Sequence, residues 1–340
     1  MKRIHTNRLF SIRLYLFLLL VGLVGMYVVY RFQYADIENF EKPLEKVTAT
    51  APLCDNVFCK SVDGLRIAAV SVDNAPESWP QVGVSQSSLV YEVPVEGGRT
   101  RLFAYFLENE LTSVERIGPV RSLRDVFLDV GASCDVLPVH VGGSPSALQR
   151  VSDTSMDTLN EFYFGDRFLR STKRLAPHNT YIYGEKLVVD LKERREAMGA
   201  HCQPFSSRTG SGISKEKNPA FDFGELSIMW QYSTSTAKYT RTQKNVIQKD
   251  EDGKKYVYAN VLHVYMPMKT IDEKLRRDIS TTGSGRFELF SGGVVVGGTW
   301  SRKSIEDSFQ LRADNGDIVS PSGTTWVTIL PDSMAPKSLQ

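Results

Sequence analysis

Cysteine is scarce in this 340-residue sequence, which contains only four, so a small disulfide-built scaffold is excluded. Neither sign of charge dominates, because 41 lysines and arginines balance 39 aspartates and glutamates to a net charge of +2. A nucleic-acid binder held by a basic face is therefore not expected. Long hydrophobic runs are missing except for one, which excludes a polytopic membrane protein. What remains is a globular composition, 41% hydrophobic, with room for roughly two domains.

The single long apolar run covers residues 14–30 and contains no charged residue. It is slightly shorter than the roughly 20 residues that a membrane-crossing helix needs. Four basic residues precede the run and acidic residues follow it, so the positive-inside rule places the N-terminus in the cytoplasm. A cleaved signal peptide is the alternative, but no small-residue cleavage motif and no lipid-attachment cysteine follow the run. We predict that residues 1–30 contain a single-pass anchor in the cell membrane and that the body of the protein is extracytoplasmic.

An extracytoplasmic location changes how the cysteines are interpreted. Cys54 and Cys59 flank four residues, a spacing that closes a small disulfide ring in an oxidising compartment or leaves two free thiols. Cys134 and Cys202 are isolated in the sequence, and each is interpreted as a packed small hydrophobe. No cysteine pair has zinc-finger spacing and no H-x-H or H-x-x-x-H motif occurs, so we predict no metal and no cofactor.

The composition of the exported part changes along the chain and predicts an α+β fold. Residues 31–60 carry prolines and mixed charges, as a stalk does. In residues 61–204, β-rich runs alternate with helical patterns and predict an α/β domain with a mixed sheet. Residues 205–220 are rich in serine, glycine and charge and predict a linker. Strand-like runs punctuated by glycine turns fill residues 221–335 and predict a small, mostly antiparallel β-domain.

Polar residues of the α/β domain concentrate where its predicted strands end, which is where such sheets usually build a binding crevice. The strands are expected at residues 67–72, 89–95, 101–107 and 135–141, and the helices at residues 122–130 and 144–151. Four clusters at or near these ends supply the candidate ligand-binding residues.

The first two clusters follow the first and second strands. Asp73 and Asn74 come directly after the first strand, where they either take part in function or form an Asx-turn. Glu92 lies on the second strand, Glu96 in the connection and Arg101 on the third strand. We expect Glu92 and Arg101 to form an internal ion pair across the hairpin. Alternatively the pair faces a crevice, where the guanidinium binds a carboxylate or phosphate and the carboxylate is a general base.

The third cluster lies at the start of the first predicted helix. Ser122 is the expected N-cap, and Arg121 and Arg124 lie around the first turn. The partial positive charge of a helix N-terminus disfavours cations, so these two arginines require an anion nearby. Glu92, Glu96 or an anionic ligand would satisfy that requirement.

The fourth cluster joins a strand that ends at His140 to a helix that starts at Ser144, through Gly142 and Gly143. Backbone N–H groups at such a turn bind oxyanions, although Ser144 is equally explained as the N-cap of the helix. Because Pro145 follows Ser144, the turn is not the G-x-S-x-G nucleophile elbow.

His178 and Asn179 complete the candidate ligand-binding residues. A histidine bonded to Asp73 or Glu92 would pair a base with the group that orients it, and a serine such as Ser144 would complete a hydrolytic triad. The candidate catalytic residues are therefore His178, Glu92 and His140.

Five motifs follow one another along the α/β domain: A-A-V-S-V-D-N-A-P, S-Q-S-S-L-V-Y-E-V-P-V-E-G-G-R-T-R, I-G-P-V-R-S, H-V-G-G-S-P-S-A-L and A-P-H-N-T-Y. In order and spacing they resemble the N-terminal domain of the YerB-like family of bacterial envelope proteins. The stretches G-S-G-R-F-E-L-F-S-G-G-V-V-V-G-G-T-W and G-T-T-W-V-T-I-L-P resemble that family's C-terminal β-domain. The resemblance implies a two-domain extracytoplasmic protein, of a family often described as lipoproteins, without an established reaction. This chain lacks a lipobox cysteine, so a peptide anchor is expected to replace the lipid.

These observations favour a membrane-anchored envelope protein that binds an anionic or polyhydroxylated ligand, such as a cell-wall fragment, in a cleft of the α/β domain. Arg101 and Arg121 would bind the anionic group, and Glu92 would orient them. A hydrolase that uses His178 or Glu92 as the base at the same surface is the alternative. A third possibility is a scaffold that recruits partner proteins through the β-domain around Trp300.

Overall fold

The structure is a computed structural model that describes residues 66–194, 205, 214–216, 218–223 and 226–336. The predicted anchor, the predicted stalk and the predicted disulfide between Cys54 and Cys59 lie outside the described residues. Within the described ranges, no helix has both the length and the apolar content needed to cross a bilayer.

The described residues form 22 strands and four α-helices. The helices are α1 (Glu108–Leu111), α2 (Asp125–Ala132), α3 (Pro145–Asp153) and α4 (Gly184–Glu193). The strands in the first part are β1 (Ile67–Asp73), β2 (Leu89–Pro94), β3 (Thr100–Leu107), β4 (Arg116–Ile117), β5 (Leu137–His140), β6 (Leu159–Asn160), β7 (Phe168–Arg170) and β8 (Thr180–Tyr183). The later strands are β9 (Ser214–Glu216), β10 (Ala220–Phe223), β11 (Leu226–Ser233), β12 (Lys238–Gln243), β13 (Val246–Ile247), β14 (Val257–Tyr258), β15 (Asn260–Met266), β16 (Met268–Thr270), β17 (Arg277–Ile279), β18 (Gly283–Ser291), β19 (Val294–Arg302), β20 (Gln310–Ala313), β21 (Ile318–Val319) and β22 (Thr325–Pro331).

One mixed sheet of twelve strands contains strands from both halves of the chain. Its order is β21-β20-β19-β18-β15-β22-β2-β3-β1-β5-β6, and β9 pairs with β19. The two halves are joined where β22 pairs in parallel with β2 on one side and with β15 on the other. Smaller sheets of five, three and two strands surround it, and every strand pair within them is antiparallel. The fold is therefore a mixed α+β fold.

The two faces of the large sheet are both buried, which explains why its central strands are apolar in almost every position. On one face, Val70, Val90 and Trp326 pack in a cluster that includes Trp230 and Tyr239 of the five-stranded sheet. On the other face, a second cluster contains residues of the sheet, of helices α2 and α3 and of the C-terminal strands, including Ala69, Tyr91, Phe103, Phe127, Ala147, Trp300 and Phe309. Successive residues of a central strand therefore pack into opposite core clusters, as Ala69 and Val70 do.

Several local predictions are corrected by the structure. The first predicted helix begins at Asp125 instead of Ser122, and its N-cap is Arg124, without a side-chain cap. Cys134 packs in the core, as predicted, but it is disulfide-bonded and is therefore not simply a packed small hydrophobe. Trp300 is fully buried and its indole N–H donates to the carbonyl of Tyr265 at 2.9 Å, so it is not available at a partner-binding surface.

Candidate functional site

The site begins where the parallel strands β1 and β5 separate. They pair from Ala68 to Val70, and beyond that point another segment lies against the end of β1. There the amide of Asp73 donates to the carbonyl of Pro119 at 2.8 Å, and the amide of Arg121 donates to the carbonyl of Ser71 at 2.8 Å. A crevice at the carboxyl end of diverging strands is a common position for binding sites in such sheets.

Asp73 and His178 form a hydrogen-bonded pair at this crevice, with 2.6 Å between Asp73 Oδ2 and His178 Nδ1. His178 reaches Asp73 because the carbonyl of Thr180, at the start of β8, accepts from the amide of Val120 at 2.6 Å. Arg174 donates to the carbonyls of Ser78 and Pro80 and so fastens the loop before His178. Of the two acids considered as partners of a histidine, the structure pairs Asp73 with His178. Asp73 also forms the Asx-turn that was one of its two interpretations, since its Oδ1 accepts from the amide of Ala75 at 3.1 Å.

Two arginines lie beside this pair. Arg121 Nε is 3.6 Å from Asp73 Oδ2, and its Nη1 donates to the carbonyl of Pro177 at 2.9 Å. Arg101 is opposite Asp73 in the β1–β3 register. Its Nη1 donates to the carbonyl of Ser122 at 3.2 Å, but its buried Nε has no hydrogen-bond partner among the described residues. Burial, reinforced by the charge of Arg124, lowers the pKa of Arg101 to about 9.

Glu96 and Arg124 form an ion pair at one end of the same site. Burial alone would raise the pKa of Glu96, but its hydrogen bonds and charge interaction with Arg124 outweigh that effect and lower the pKa. The expectation that an acidic side chain would meet the arginines near α2 is therefore confirmed for Arg124. The acidic partner of Arg121 is Asp73.

These side chains surround a cavity of about 320 Å³. Its lining comprises Asp73, Ala75, Val95, Glu96, Gly97, Arg99, Thr100, Arg101, Arg121 and His178. Three of these residues are arginines and two are carboxylates, so the lining carries one excess positive charge even when the histidine is neutral. We call this cavity the arginine cleft. Of the candidate residues, it contains Asp73, Glu96, Arg101, Arg121 and His178.

Glu92 lies on the opposite face of the sheet, and its predicted pairing with Arg101 was wrong. In the antiparallel register Arg101 is opposite Val93, while Glu92 is opposite Leu102. Glu92 is fully buried, and its partner is Arg241, whose Nη2 lies 2.8 Å from Glu92 Oε1.

Three more side chains saturate the Glu92 carboxylate. Oε1 accepts from Thr100 Oγ1 at 2.8 Å and from Asn74 Nδ2 at 3.2 Å, and Oε2 accepts from Trp326 Nε1 at 2.9 Å. Asn74 in turn accepts from Gln81 Nε2 at 2.9 Å. Glu92 and Asn74 therefore belong to a buried network that joins the halves of the chain, and neither lines the arginine cleft.

His140 is also held in local contacts. It is fully buried, with Nδ1 at 2.7 Å from the carbonyl of Gly142 and Nε2 at 3.1 Å from Thr158 Oγ1. Burial lowers the pKa of His140 to about 4, despite its hydrogen bond to Gly142. It is not among the residues that line the arginine cleft.

The turn after His140 uses its backbone donors internally. The amide of Gly142 donates to Asn160 Oδ1 at 3.0 Å, and the amide of Ser144 donates to the carbonyl of Leu123 at 3.0 Å. Ser144 is the N-cap of α3, because its Oγ accepts from the amide of Ala147 at 3.2 Å. Gly142, Gly143 and Ser144 therefore do not line the cleft, and the N-cap interpretation of Ser144 is confirmed.

Ser122 and Asn179 flank the cleft without lining it. Ser122 contributes its carbonyl, which accepts from Arg101 and from Ser71 Oγ. Asn179 Nδ2 donates to the carbonyl of Ser171 at 3.2 Å, while its buried Oδ1 has no hydrogen-bond partner in the part of the chain that the structure describes. Sequence reasoning missed Thr100 as a lining residue, and no local pattern distinguishes it from an ordinary strand threonine.

The geometry of the cleft permits two kinds of chemistry. Guanidinium groups bind carboxylates and phosphates through charge-assisted hydrogen bonds, and Arg101 has an unused donor in a poorly solvated position. The Asp73 carboxylate fixes the His178 ring through Nδ1, which leaves Nε2 as the nitrogen for proton transfer. The one hydroxyl group in the lining belongs to Thr100, and it already donates to Glu92. A histidine-activated water, not a serine or threonine, would therefore be the nucleophile in any hydrolysis here.

Comparison with known proteins identifies the family. Residues 59–197 match the N-terminal domain described as "Protein of unknown function (DUF3048)", and residues 220–327 match its C-terminal domain. "Putative lipoprotein YerB" of Bacillus subtilis (strain 168) is 29% identical over 290 residues, which are 83% of this chain and 86% of that protein. A crystal structure of the B. subtilis YerB protein superposes with a TM-score of 0.68 at 28% identity and covers 83% of this chain and 96% of that one. The chain thus belongs to the YerB-like family, whose two domains are those of DUF3048.

Proposed function

We propose that this protein is an extracytoplasmic envelope protein that binds an anionic ligand of the cell envelope in the arginine cleft. The observation that carries the proposal is Arg101, a 5% exposed guanidinium with an unpaired buried Nε next to a second arginine. A buried donor without a partner costs free energy unless a ligand or ordered water satisfies it. A carboxylate or phosphate would supply both the acceptor and the charge.

The location has two supports. The B. subtilis relative is named "Putative lipoprotein YerB", and this chain carries a disulfide at Cys134, which is typical of proteins in oxidising compartments. We propose that the apolar run at residues 14–30 anchors the body, with the N-terminus in the cytoplasm. Envelope polymers and lipids with phosphate or carboxylate groups are then the ligands within reach.

The test is equilibrium binding of two probes to the full chain in phosphatidylcholine nanodiscs: glycerol 3-phosphate and N-acetylmuramic acid. Replacing Arg121 by Gln removes one charged donor from the cleft, and such a hydrogen bond contributes about 1.5–3 kcal/mol, or roughly 10- to 100-fold in affinity. Arg312→Gln is the matched control, since Arg312 is an exposed arginine on β20, seven strands from β1 in the large sheet. Unchanged affinity for both probes in Arg121→Gln would reject the proposal.

The hydrogen bond between Asp73 and His178 favours a second candidate function, hydrolysis of a bound ester or amide. His178 Nε2 would take a proton from water as the oxygen attacks the substrate, and the protonated ring would return that proton to the leaving group. Arg121 would stabilise the oxyanion that forms.

Hydrolysis is tested with the variant His178→Gln. This variant should still bind the anionic probes and should lose turnover of wall fragments. If wild-type protein releases no product from these fragments, the cleft binds without catalysis.

A further inference from the structure

The three most exposed large apolar side chains in the described residues lie on the two segments that flank β7. Phe162 is 66% exposed, Tyr163 81% and Leu175 87%. We call them the rim patch. Singly exposed apolar residues are common, but several together usually mark an interaction surface.

The rim patch lies next to the arginine cleft. Glu161 forms two hydrogen bonds with Arg170, at 2.8 and 2.9 Å, which hold the Phe162–Tyr163 turn beside the end of β7. The loop that leaves β7 carries Leu175, whose carbonyl accepts from the amide of His178 at 3.0 Å. His178 lines the cleft, so the loop that bears Leu175 also forms one wall of the binding site.

The aromatic part of the patch also reaches the cleft through a short chain of contacts. The Phe162 ring packs against Gly142, where a Cβ atom would lie 3.0 Å from it. Gly142 follows Val141, whose amide donates to the carbonyl of Arg121 at 3.0 Å. Phe162 is thus linked to the backbone of a cleft arginine through Gly142 and Val141.

The exposure of the aromatic side chains is fixed by the fold and is not a result of fraying. Asn160 is 5% exposed, and its Oδ1 accepts from the amides of Gly142 and Phe162. Its carbonyl accepts from the amides of Tyr163 and Phe164 at 2.9 and 3.1 Å. The fold therefore presents two aromatic rings to solvent on a hydrogen-bonded turn.

The segment that carries the rim patch is basic. Residues 161–174 contain Arg167, Arg170, Lys173 and Arg174 against Glu161 and Asp166. Arg170 is paired with Glu161, and Arg167 with Asp166 and Asp190, so Lys173 and Arg174 supply the positive charge that is not paired with a carboxylate in this segment. Aromatic and leucine side chains surrounded by basic residues are the composition of surfaces that bind anionic membranes. A soluble saccharide would use the aromatic rings but would have no use for Leu175.

We propose that the ligand of the arginine cleft is a membrane lipid with an anionic phosphate headgroup. The rim patch enters the boundary of the hydrocarbon, and Arg101 and Arg121 bind the phosphate. This inference rests on the proposed anion binding and extends it, because it names the hydrocarbon part of the ligand. The proposed anchor at residues 14–30 would keep the body at the bilayer surface where such lipids are found.

The experiment measures amide hydrogen exchange of the full chain in nanodiscs of phosphatidylcholine, alone or in equal parts with phosphatidic acid. We expect peptides that cover residues 160–178 to exchange about tenfold more slowly when phosphatidic acid is present. The triple variant Phe162→Ser, Tyr163→Ser, Leu175→Ser should lose this protection, and so should Arg121→Gln. The matched control replaces Val246 and Ile247 by Ser, since both are exposed apolar residues on β13.

The outcomes separate this inference from the proposed function. If glycerol 3-phosphate protects the cleft but phosphatidic acid does not protect the rim patch, the lipid inference is overturned and anion binding stands. Equal protection by phosphatidylcholine alone, whose headgroup is zwitterionic, would overturn selectivity for a net anionic headgroup. Protection of the rim patch by an N-acetylglucosamine oligomer and not by lipid would identify a glycan ligand instead. No protection by any probe would overturn both proposals.

Discussion

Replacing Glu92 by Gln separates a structural from a catalytic role for this carboxylate. The variant keeps the shape of the side chain and removes its charge, which leaves Arg241 buried without a counterion. Four donors also converge on the carboxylate. If the amide oxygen takes the position that accepts from Arg241, the amide NH₂ meets the indole N–H of Trp326, and neither of the two donors is satisfied.

The expected cost follows from these contacts. Breaking a buried ion pair by removing one partner costs about 3–5 kcal/mol. For a body of this size that corresponds to a fall in Tm of roughly 10 °C. Thermal unfolding followed by circular dichroism measures it. Anion binding by the protein that remains folded should not change, since Glu92 lies outside the arginine cleft.

Glu110→Gln is the matched control for this variant. Burial, only partly offset by hydrogen bonds from Ser88 and from the amide of Leu107, raises the pKa of Glu110. A neutral replacement there removes a charge that burial already disfavours, so the free energy of unfolding should fall by about 1 kcal/mol or less. If Glu92→Gln unfolds at the wild-type temperature and yet loses glycerol 3-phosphate binding, the structural role assigned to Glu92 is wrong.

Two further predictions concern the turn after β5. The pKa of His140 falls from 6.5 to about 4 on folding, so its neutral form stabilises the protein above pH 6.5 and this stability is lost as the pH falls toward 4, by about 3 kcal/mol. Urea unfolding at pH 7 and pH 4.5 should show a smaller acid loss in His140→Gln than in wild type, and equal losses would contradict this explanation. Ser144→Ala removes the N-cap of α3 and should cost about 1 kcal/mol in urea unfolding. Its affinity for glycerol 3-phosphate should equal that of wild type, and a tenfold loss would place Ser144 in the site.

Strand positions in the first half were predictable, because apolar β-rich runs bounded by turn residues produce buried strands. The runs at residues 67–72 and 101–107 correspond to β1 and β3. The N-cap at Ser144 was predictable for a similar reason, since serine before proline is a local signal. The start of α2 was not, because Arg124 makes no side-chain cap that the sequence could reveal.

The candidate site was predictable only in part. Asp73 and His178 meet because β8 lies beside the segment that follows β4, and each stands next to a recognisable strand or turn signal. The partner of Glu92 was not predictable, since Arg241 is 149 residues away and belongs to another sheet. The alternation of side chains along a strand predicted that Glu92 and Val93 face opposite sides of the sheet. Only the pairing register of β2 with β3 shows that Arg101 is opposite Val93 and therefore not opposite Glu92. Local pattern marks such residues as candidates, but it does not show which of them pair across the fold.

The central claim is that His178, Asp73 and the two neighbouring arginines form an anion-binding cleft. The most direct test is a nitrogen-15 NMR titration of the full chain, labelled at its five histidines, with glycerol 3-phosphate. We predict a saturable shift of the His178 ring signals and no shift of His140, which is buried away from the cleft. A titration in which the His178 signals stay unchanged up to saturating probe would contradict the account.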